Sequence, residues 1–296
     1  AEIKEHDGLI EARCRDAQGL KGTEIHLPYP SVGATEQAIL ASVLAKEVTV
    51  IHGAAKEPEI SQLCRFLNNM GAVICGMGTD HLMIQGVEEL HDSSFRVEGD
   101  RIVAGTYAAA VTSATGSITL KEVRAAELEL PLEMLKRSGA SIQKDSCCRQ
   151  IRIEMKKRPL PLDIKTGPYP EFPTDLQSPY MAFLASGQGT STIVEQVFEG
   201  RFATAKALAQ MGAAVETEGQ RAVIKGSYPL KGASVYASDL RGGAALAVAA
   251  LARMAPWVLL VLLAFSALCA VVYSRYITRP IVRLSGIAGK MAELDF

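Results

Sequence analysis

The sequence lacks the features that mark several large classes of protein. Its 31 lysine and arginine residues nearly balance 32 aspartate and glutamate residues. No basic patch with interleaved aromatic residues indicates nucleic-acid binding. No low-complexity linker divides the chain, and the six cysteines show no metal-ligand spacing. The adjacent pair Cys147 and Cys148 cannot bridge easily without strain. We therefore expect reduced thiols and no nucleic-acid partner.

A proline-rich loop at residues 167–177 is the most informative stretch that is present, reading Gly-Pro-Tyr-Pro-Glu-Phe-Pro-Thr-Asp-Leu-Gln. Each proline fixes φ, removes a backbone donor and pushes the preceding residue out of the α region. A stiff, extended segment therefore delivers Asp175 to the start of an apolar helix predicted at about 176–186. This suits a carboxylate that must be aimed at a substrate. The alternative is that Thr174 or Asp175 simply caps the helix.

A second motif, Pro-Ser-Val-Gly-Ala-Thr-Glu at residues 30–36, joins a predicted strand at 24–27 to an alanine-rich helix. The first backbone N–H groups of a helix have no partner within it and lie at the positive end of its dipole. The motif therefore predicts an anion site, typically for phosphate. The alternative is an ordinary helix cap by Ser31 or Thr35.

Three similar stretches recur about 70 residues apart, with Met-Gly-Ala at 70–72, Ser-Gly-Ala at 138–140 and Met-Gly-Ala at 211–213. Each follows an amphipathic helical pattern and opens an alternating strand pattern. The glycine supplies the left-handed conformation that ends a helix. Short strand pairs follow, for example at 82–87 and 222–226. Self-similarity at a fixed period predicts repeated β/α units, with a stacked solenoid as the alternative.

Seven segments in one order resemble the UDP-N-acetylglucosamine 1-carboxyvinyltransferase family, the enolpyruvyl transferases of peptidoglycan synthesis. They are residues 30–36, 54–60, 66–72, 99–102 with 104–107, 172–177, 198–202 and 239–241. The resemblance implies an α/β fold of repeated β/α units, an inside-out α/β barrel with helices inside and sheets outside. The fold would be incomplete, with about three and a half of six units. Its partial lobes would cover residues 1–103 and 104–253, with the substrates between them.

The resemblance also implies the chemistry, in which a sugar hydroxyl adds to C2 of phosphoenolpyruvate and phosphate leaves the adduct. Phosphoenolpyruvate and UDP-N-acetylglucosamine are the implied partners, and no metal or organic cofactor is implied. Asp175 would accept the hydroxyl proton. The remaining residues match substrate-binding positions of the family: Arg201 and Arg241 for anions, Ser31, Val32 and Gly33 for the UDP-sugar, Val197 on the nucleotide side, and Glu57 and Asp100 as acidic cleft residues.

Simpler roles exist for the two arginines. Arg201 could pair locally with Glu199. Arg241 could merely occupy an N-terminal helix position near Asp239.

The composition changes abruptly after Arg253. Residues 254–274 carry no charge and are long enough, at about 20 residues, to cross a bilayer as one helix. A buried core helix is the alternative. Arginines follow the span, which predicts a cytoplasmic C-terminus. Residues 275–296 resemble the first helix of a HAMP domain of sensor histidine kinases, with a coiled-coil seam that implies a HAMP-type dimer.

These two halves conflict, because the implied family is cytoplasmic and both substrates are cytosolic, whereas one span would put residues 1–253 outside the cell. The pattern nevertheless predicts a membrane-associated, single-pass protein. We interpret it as a join of two truncated genes, giving an inactive transferase fragment attached to a membrane segment. A membrane-anchored sensor or binding module with a degenerate transferase domain is the alternative.

Overall fold

A computed structural model describes residues 2–13, 19–227, 229–252 and 266. These residues form thirteen strands and seven helices, with 3-10 turns at Ala125–Leu128 and Thr174–Leu176. The strands are β1 (Glu2–His6), β2 (Leu9–Arg13), β3 (Glu24–His26), β4 (Val48–His52), β5 (Val73–Cys75), β6 (His81–Gln85), β7 (Ser117–Lys121), β8 (Ser141–Asp145), β9 (Gln150–Glu154), β10 (Asp163–Lys165), β11 (Thr190–Val194), β12 (Ala214–Glu218) and β13 (Arg221–Lys225). The helices are α1 (Val32–Ser42), α2 (Pro58–Asn69), α3 (Arg101–Ser113), α4 (Glu129–Arg137), α5 (Gln177–Ala185), α6 (Ala203–Gln210) and α7 (Leu240–Leu251).

The described chain repeats one supersecondary unit. The first sheet has the order β3-β4-β6-β5, in which β3 and β4 are parallel and the other neighbours are antiparallel. The third repeats this pattern as β10-β11-β13-β12. Between them lies the antiparallel sheet β7-β9-β8. The hairpin β1-β2 precedes these units and α7 follows them. The α/β fold of repeated units is thereby confirmed.

Each unit ends its second helix in the same way. Gly71, Gly139 and Gly212 have φ values of 101°, 107° and 85°. The following alanine N–H donates back to a leucine carbonyl five residues earlier, at 3.0 Å in all three units. This is the Schellman arrangement, which satisfies carbonyl groups that a helix end leaves without partners.

Helices α3 and α5 lie in the interior, and the sheets lie toward the outer surface. Every residue of α5 is buried, and α5 packs against α3 and α7. The strands alternate between buried and exposed residues, as in β6, because only one face of each sheet meets the helices. The buried apolar residues form two separate clusters. The first core lies between Ile39 and Ile84, and the second core runs from Ile102 to Ala249. The lobe boundary at residues 103 and 104 stays a prediction.

A glycine allows α3 to pack closely against the residue before α5. A Cβ atom added at Gly105 would lie 2.6 Å from Cδ1 of Leu176, which is itself fully buried. The helix therefore approaches the turn that carries Asp175 as closely as its backbone allows. This close contact packs that turn against α3 within one apolar cluster.

The predicted span at 254–274 and the predicted HAMP-like helix at 275–296 lie outside the described residues, apart from Ser266. No helix in the described part of the chain is long and apolar enough to cross a membrane. Ser266 is half-buried, and its Oγ lies 3.3 Å from the hydroxyl of Tyr107 on α3. Ser266 thus contacts α3.

Candidate active site

The nine residues singled out from the sequence come together in one cleft of about 720 Å³. The cleft lies between elements of the first unit and elements of the second core. Residues from six separate stretches of chain line it: Ser31, Val32, Gly33, Glu57, Asp100, Asp175, Val197, Arg201 and Arg241.

Asp175 lies between two arginines. Nη2 of Arg201 is 2.5 Å from its Oδ1, and Nη2 of Arg241 is 3.4 Å from its Oδ2. The side chain is 39% exposed, so the carboxylate can be reached from the cleft. No side chain caps the 3-10 turn at 174–176 or α5. The capping alternative for Asp175 and Thr174 is therefore wrong, because Asp175 bonds the arginines and the Thr174 hydroxyl donates to Glu195 at 2.9 Å.

The two arginines reach this carboxylate from different elements. Arg201 precedes α6, and its guanidinium also lies 4.9 Å from the centre of the Phe198 ring. Arg241 is the second residue of α7, whose N-cap is Asp239. The simpler position predicted for Arg241 is thus correct, but its side chain extends into the cleft. Together the arginines place two positive charges beside one carboxylate.

The turn at residues 30–36 is both a cap and a cleft wall. The Ser31 hydroxyl accepts from the Ala34 N–H at 3.3 Å, so Ser31 caps α1 as the simpler interpretation predicts. Thr35 is fully buried, and its Oγ1 accepts from the Ala55 N–H at 3.0 Å. Val32 and Gly33 form the first turn of α1, where backbone N–H groups have no helical partner.

The two acidic residues serve different purposes. Asp100 caps α3, because its Oδ1 accepts from Ile102 N–H at 2.7 Å and Val103 N–H at 2.9 Å. Glu57 lies across the cleft, and its Oε1 accepts from the Tyr169 N–H at 3.3 Å. Its Oε2 is buried and has no hydrogen-bond partner among the described residues. Buried carboxylate oxygens normally have a donor, so Glu57 presents an acceptor at the cleft.

Glu195 organises the site, although no sequence motif pointed to it. It is 1% exposed, and its Oε1 accepts from the N–H groups of Val197 and Phe198 at 2.9 and 3.1 Å. Its Oε2 accepts from Thr174, one residue before Asp175. Glu195 therefore joins the loop that carries Asp175 to the loop that carries Val197. The alternation of β11, in which Ser191 and Ile193 are buried, is the signal that places Glu195 inside.

An ion pair beneath the cleft was also missed from the sequence. Arg101 is buried, and its Nε and Nη2 donate to the two oxygens of Glu59 at 2.9 and 3.3 Å. The guanidinium lies 5.5 Å from the centre of the Tyr169 ring. Burial raises the pKa of Tyr169, an effect that Arg101 opposes. Burial and the carboxylates of Glu57, Glu195 and Glu171 raise the pKa of Tyr29. Both phenols are therefore protonated hydrogen-bond donors at neutral pH.

The sequence profile of EPSP synthase (3-phosphoshikimate 1-carboxyvinyltransferase) matches residues 1–259. The chain belongs to the EPSP synthase family. Among relatives in this family, UDP-N-acetylglucosamine 1-carboxyvinyltransferase 2 of Caldanaerobacter subterraneus is 45% identical over 251 residues, covering 84% of this chain and 59% of the relative. The UDP-N-acetylglucosamine 1-carboxyvinyltransferase of Bartonella tribocorum is 42% identical over 257 residues, covering 85% and 58%. The chain thus spans about 59% of the length of these EPSP synthase family relatives.

Solved structures support the EPSP synthase family fold. The enolpyruvyl transferase NikO from Streptomyces tendae superposes with a TM-score of 0.70 at 23% identity, covering 80% of this chain and 58% of that one. The EPSP synthase of Acinetobacter baumannii gives a TM-score of 0.59 at 19% identity, covering 79% and 57%. The enolpyruvyl transferase fold predicted from the sequence is therefore confirmed.

The predicted localisation as a single-pass membrane protein is wrong. The EPSP synthase family match continues to residue 259, into the first residues of the predicted span. No described helix could cross a membrane, and Ser266 contacts α3. Neither the fusion to a membrane segment nor a HAMP-type dimer finds support. The physical reason is that an uncharged run of about 20 residues is also typical of a helix that protein surrounds on all sides.

Proposed function

We propose that this protein transfers the enolpyruvyl group of phosphoenolpyruvate to the 3-hydroxyl of UDP-N-acetylglucosamine. One observation carries the proposal. The Asp175 carboxylate lies between Arg201 and Arg241 in the same cleft as the Ser31–Gly33 turn. A base, two cations and a helix start in one cleft are what this reaction needs. Relatives with 42–45% identity are named for that reaction.

Asp175 acts as the general base in this proposal. It accepts the proton of the sugar hydroxyl as the hydroxyl oxygen bonds to C2 of phosphoenolpyruvate. C3 takes a proton to give a tetrahedral adduct, and phosphate then leaves C2 while C3 gives up a proton, which restores the double bond of the enolpyruvyl ether. A positioned base typically contributes about 10²–10⁴-fold to such a step.

The two arginines can either pair with Asp175 or bind phosphoenolpyruvate, but they cannot do both at once. Without substrate they neutralise Asp175. Phosphoenolpyruvate carries a phosphate and a carboxylate, which are anions that guanidinium groups bind in a bidentate manner. Binding of phosphoenolpyruvate would draw Arg201 and Arg241 away from Asp175 and leave its carboxylate available to the sugar hydroxyl. The order of binding thus controls when the base is active.

The sugar nucleotide would occupy the side of the cleft formed by α1. The helix start offers backbone N–H groups and a positive dipole end to the diphosphate. The buried Oε2 of Glu57 offers an acceptor for a hydroxyl or amide of the sugar. Tyr29 and Tyr169 add phenolic donors beside it.

Direct binding is the first test. Calorimetric titration of the protein with UDP-N-acetylglucosamine should show saturable binding, whereas 3-phosphoshikimate should show none. The Gly33→Ala variant should bind the sugar nucleotide more weakly. Gly33 lines the cleft, and an added Cβ atom, which meets no protein atom within 4 Å, would occupy space that the ligand needs. Equal binding of 3-phosphoshikimate would assign the chain to a different reaction within its family.

The base is tested in a chimera in which residues 1–252 replace the corresponding segment of the Bartonella tribocorum relative. Asp175→Asn should lower kcat by about 10²-fold or more, because it removes a base and keeps the shape. Asp163→Asn, at an exposed position on β10, is the matched control and should leave kcat unchanged. Phosphate release is the measurement. An Asp175→Asn chimera that kept most of its activity would contradict the assignment.

A further inference from the structure

Three of the chain's five histidines lie side by side on the outer face of the first sheet. His26 on β3 pairs in register with His52 on β4, and His52 pairs with His81 on β6. The rings of His26 and His52 are stacked at 4.4 Å, and the His81 ring meets His52 edge-on at 5.0 Å. This row of histidines faces away from the cleft-forming helices, so the proposed transferase chemistry does not use it.

Two carboxylates complete the row. Glu24 lies on the same face of β3, and ligand atoms of Glu24, His26 and His52 all lie within 4.8 Å of one another. Nδ1 of His81 is 2.7 Å from Oδ1 of Asp80. Because a carboxylate can only accept, the Nδ1 of neutral His81 carries the proton and its Nε2 keeps a free lone pair. This carboxylate–imidazole pairing is typical of histidines that bind metals.

We propose that Glu24, His26, His52 and His81 bind one divalent transition-metal ion. Two nitrogens bound to one Zn²⁺ at about 2.1 Å lie roughly 3.4 Å apart in tetrahedral geometry. The ligand atoms of Glu24, His26 and His52 must therefore approach one another by up to roughly 1.4 Å. His81 joins them from its edge-on position beside His52. The side chains of Glu24, His26 and His81 are 71%, 70% and 62% exposed, which leaves their rotamers free to make this adjustment. Imidazole ligands suit Zn²⁺, Ni²⁺ and Cu²⁺, whereas Mg²⁺ prefers oxygen ligands.

The position of the site gives it a structural consequence. His26 and His52 are the last residues of two parallel strands, and the turn at Tyr29–Gly33 begins shortly after His26. A bound metal would cross-link β3, β4 and β6 at the end of the sheet that supports this cleft wall. The site would therefore stabilise the first unit in a metal-dependent way, independently of the transferase proposal.

The test uses the full chain without an affinity tag, after the exposed thiols have been alkylated so that cysteine cannot bind the metal. Calorimetric titration with ZnCl₂ should show one equivalent bound, and ZnCl₂ should raise the melting temperature while MgCl₂ should not. His52→Gln should weaken Zn²⁺ binding at least tenfold and abolish the melting shift. Asp80→Asn should weaken binding by about 10–100-fold, as loss of a carboxylate behind a metal-binding histidine typically does.

His6→Gln on β1 is the matched control, since it removes a histidine outside the row, and it should bind Zn²⁺ like the unaltered chain. Circular dichroism checks that each variant is folded, and His26→Gln replaces His52→Gln if the latter is not. The proposal is overturned if the unaltered chain shows no saturable Zn²⁺ binding. It is equally overturned if the folded His52→Gln or His26→Gln variant binds Zn²⁺ with unchanged stoichiometry and affinity. Loss of Zn²⁺ binding in His6→Gln to the same extent would also overturn it.

Discussion

A buried carboxylate joins two loops that line the cleft. Glu195 accepts three hydrogen bonds, two from the backbone of Val197 and Phe198 and one from Thr174. A charged group that is 1% exposed is costly unless such donors surround it. Glu195 therefore holds the residue before Asp175 in place.

Replacement of this residue should cost stability. We expect Glu195→Ala to lower the free energy of unfolding by about 3 kcal/mol, because it leaves buried donors without an acceptor. Urea unfolding followed by circular dichroism measures the change. Glu199→Ala, an exposed glutamate in the adjacent loop, should stay within about 0.5 kcal/mol of the unaltered chain. Equal effects of the two substitutions would contradict the role of Glu195.

The thiols should differ in reactivity. Burial raises the pKa of Cys64 to about 11. At pH 8 about one Cys64 side chain in a thousand is then a thiolate, which is the reactive form. Cys75 and Cys147 are exposed. Iodoacetamide labelling and peptide mass spectrometry should modify these two in minutes and Cys64 only after unfolding. Labelling of Cys64 as fast as Cys75 in the folded protein would disprove this.

At the scale of elements, the repeated unit depends on a left-handed residue after its second helix. At Gly139 the φ value is 107°, and an added Cβ would meet only Sδ of Met155, at 3.9 Å. Space is therefore available, and conformational strain is the only obstacle to a side chain there. A substitution at Gly139 therefore measures how much the helix stop contributes to stability, without a change in packing.

Gly139→Ala should accordingly destabilise the protein by about 1–2 kcal/mol, the typical cost of a left-handed conformation for a residue with a Cβ. The control is Gly33→Ala in α1, where the backbone is not left-handed and the Cβ meets nothing. The control should not lose stability. Thermal unfolding of the two variants provides the comparison, and a neutral Gly139→Ala would show that the helix stop tolerates a side chain.

The features that could be predicted from the sequence are local ones. The glycine stops and the strand pairs follow from neighbouring residues, and so they appear in the sequence at a fixed period. The histidine row could not be predicted, because His26, His52 and His81 come from three separate strands and meet only through the sheet register. The ion pair of Arg101 and Glu59 joins residues 42 positions apart in the same way. The membrane prediction rested on hydropathy alone, whereas the family match continues into residues 254–259.

At the scale of the whole molecule, a few polar contacts join two separate cores. Arg101 at the start of α3 binds Glu59 on α2, and the Glu98 N–H donates to Gln62 at 3.1 Å. The two cores share no apolar cluster among the described residues. The cohesion of the cleft walls therefore depends on polar contacts that a single substitution can remove.

Arg101→Met should lower the melting temperature by roughly 4–8 °C, which corresponds to about 2 kcal/mol for a protein of this size. It should also separate thermal unfolding into two transitions. Differential scanning calorimetry shows both effects. Arg96→Met is the control, because Arg96 and its partner Glu122 are 82% and 59% exposed and such surface pairs contribute little. A single transition at an unchanged temperature would mean that other contacts couple the cores.

The bond from the Tyr169 N–H to Glu57 crosses the cleft, and at 3.3 Å it is close to the limit of a hydrogen bond. Tyr169 belongs to the same stiff loop as Asp175. A separation of the walls by a few tenths of an ångström would break this bond and release the loop from the opposite wall. The distance between these two atoms therefore reports the width of the cleft, and this bond ties the loop to the opposite wall only while the cleft is narrow.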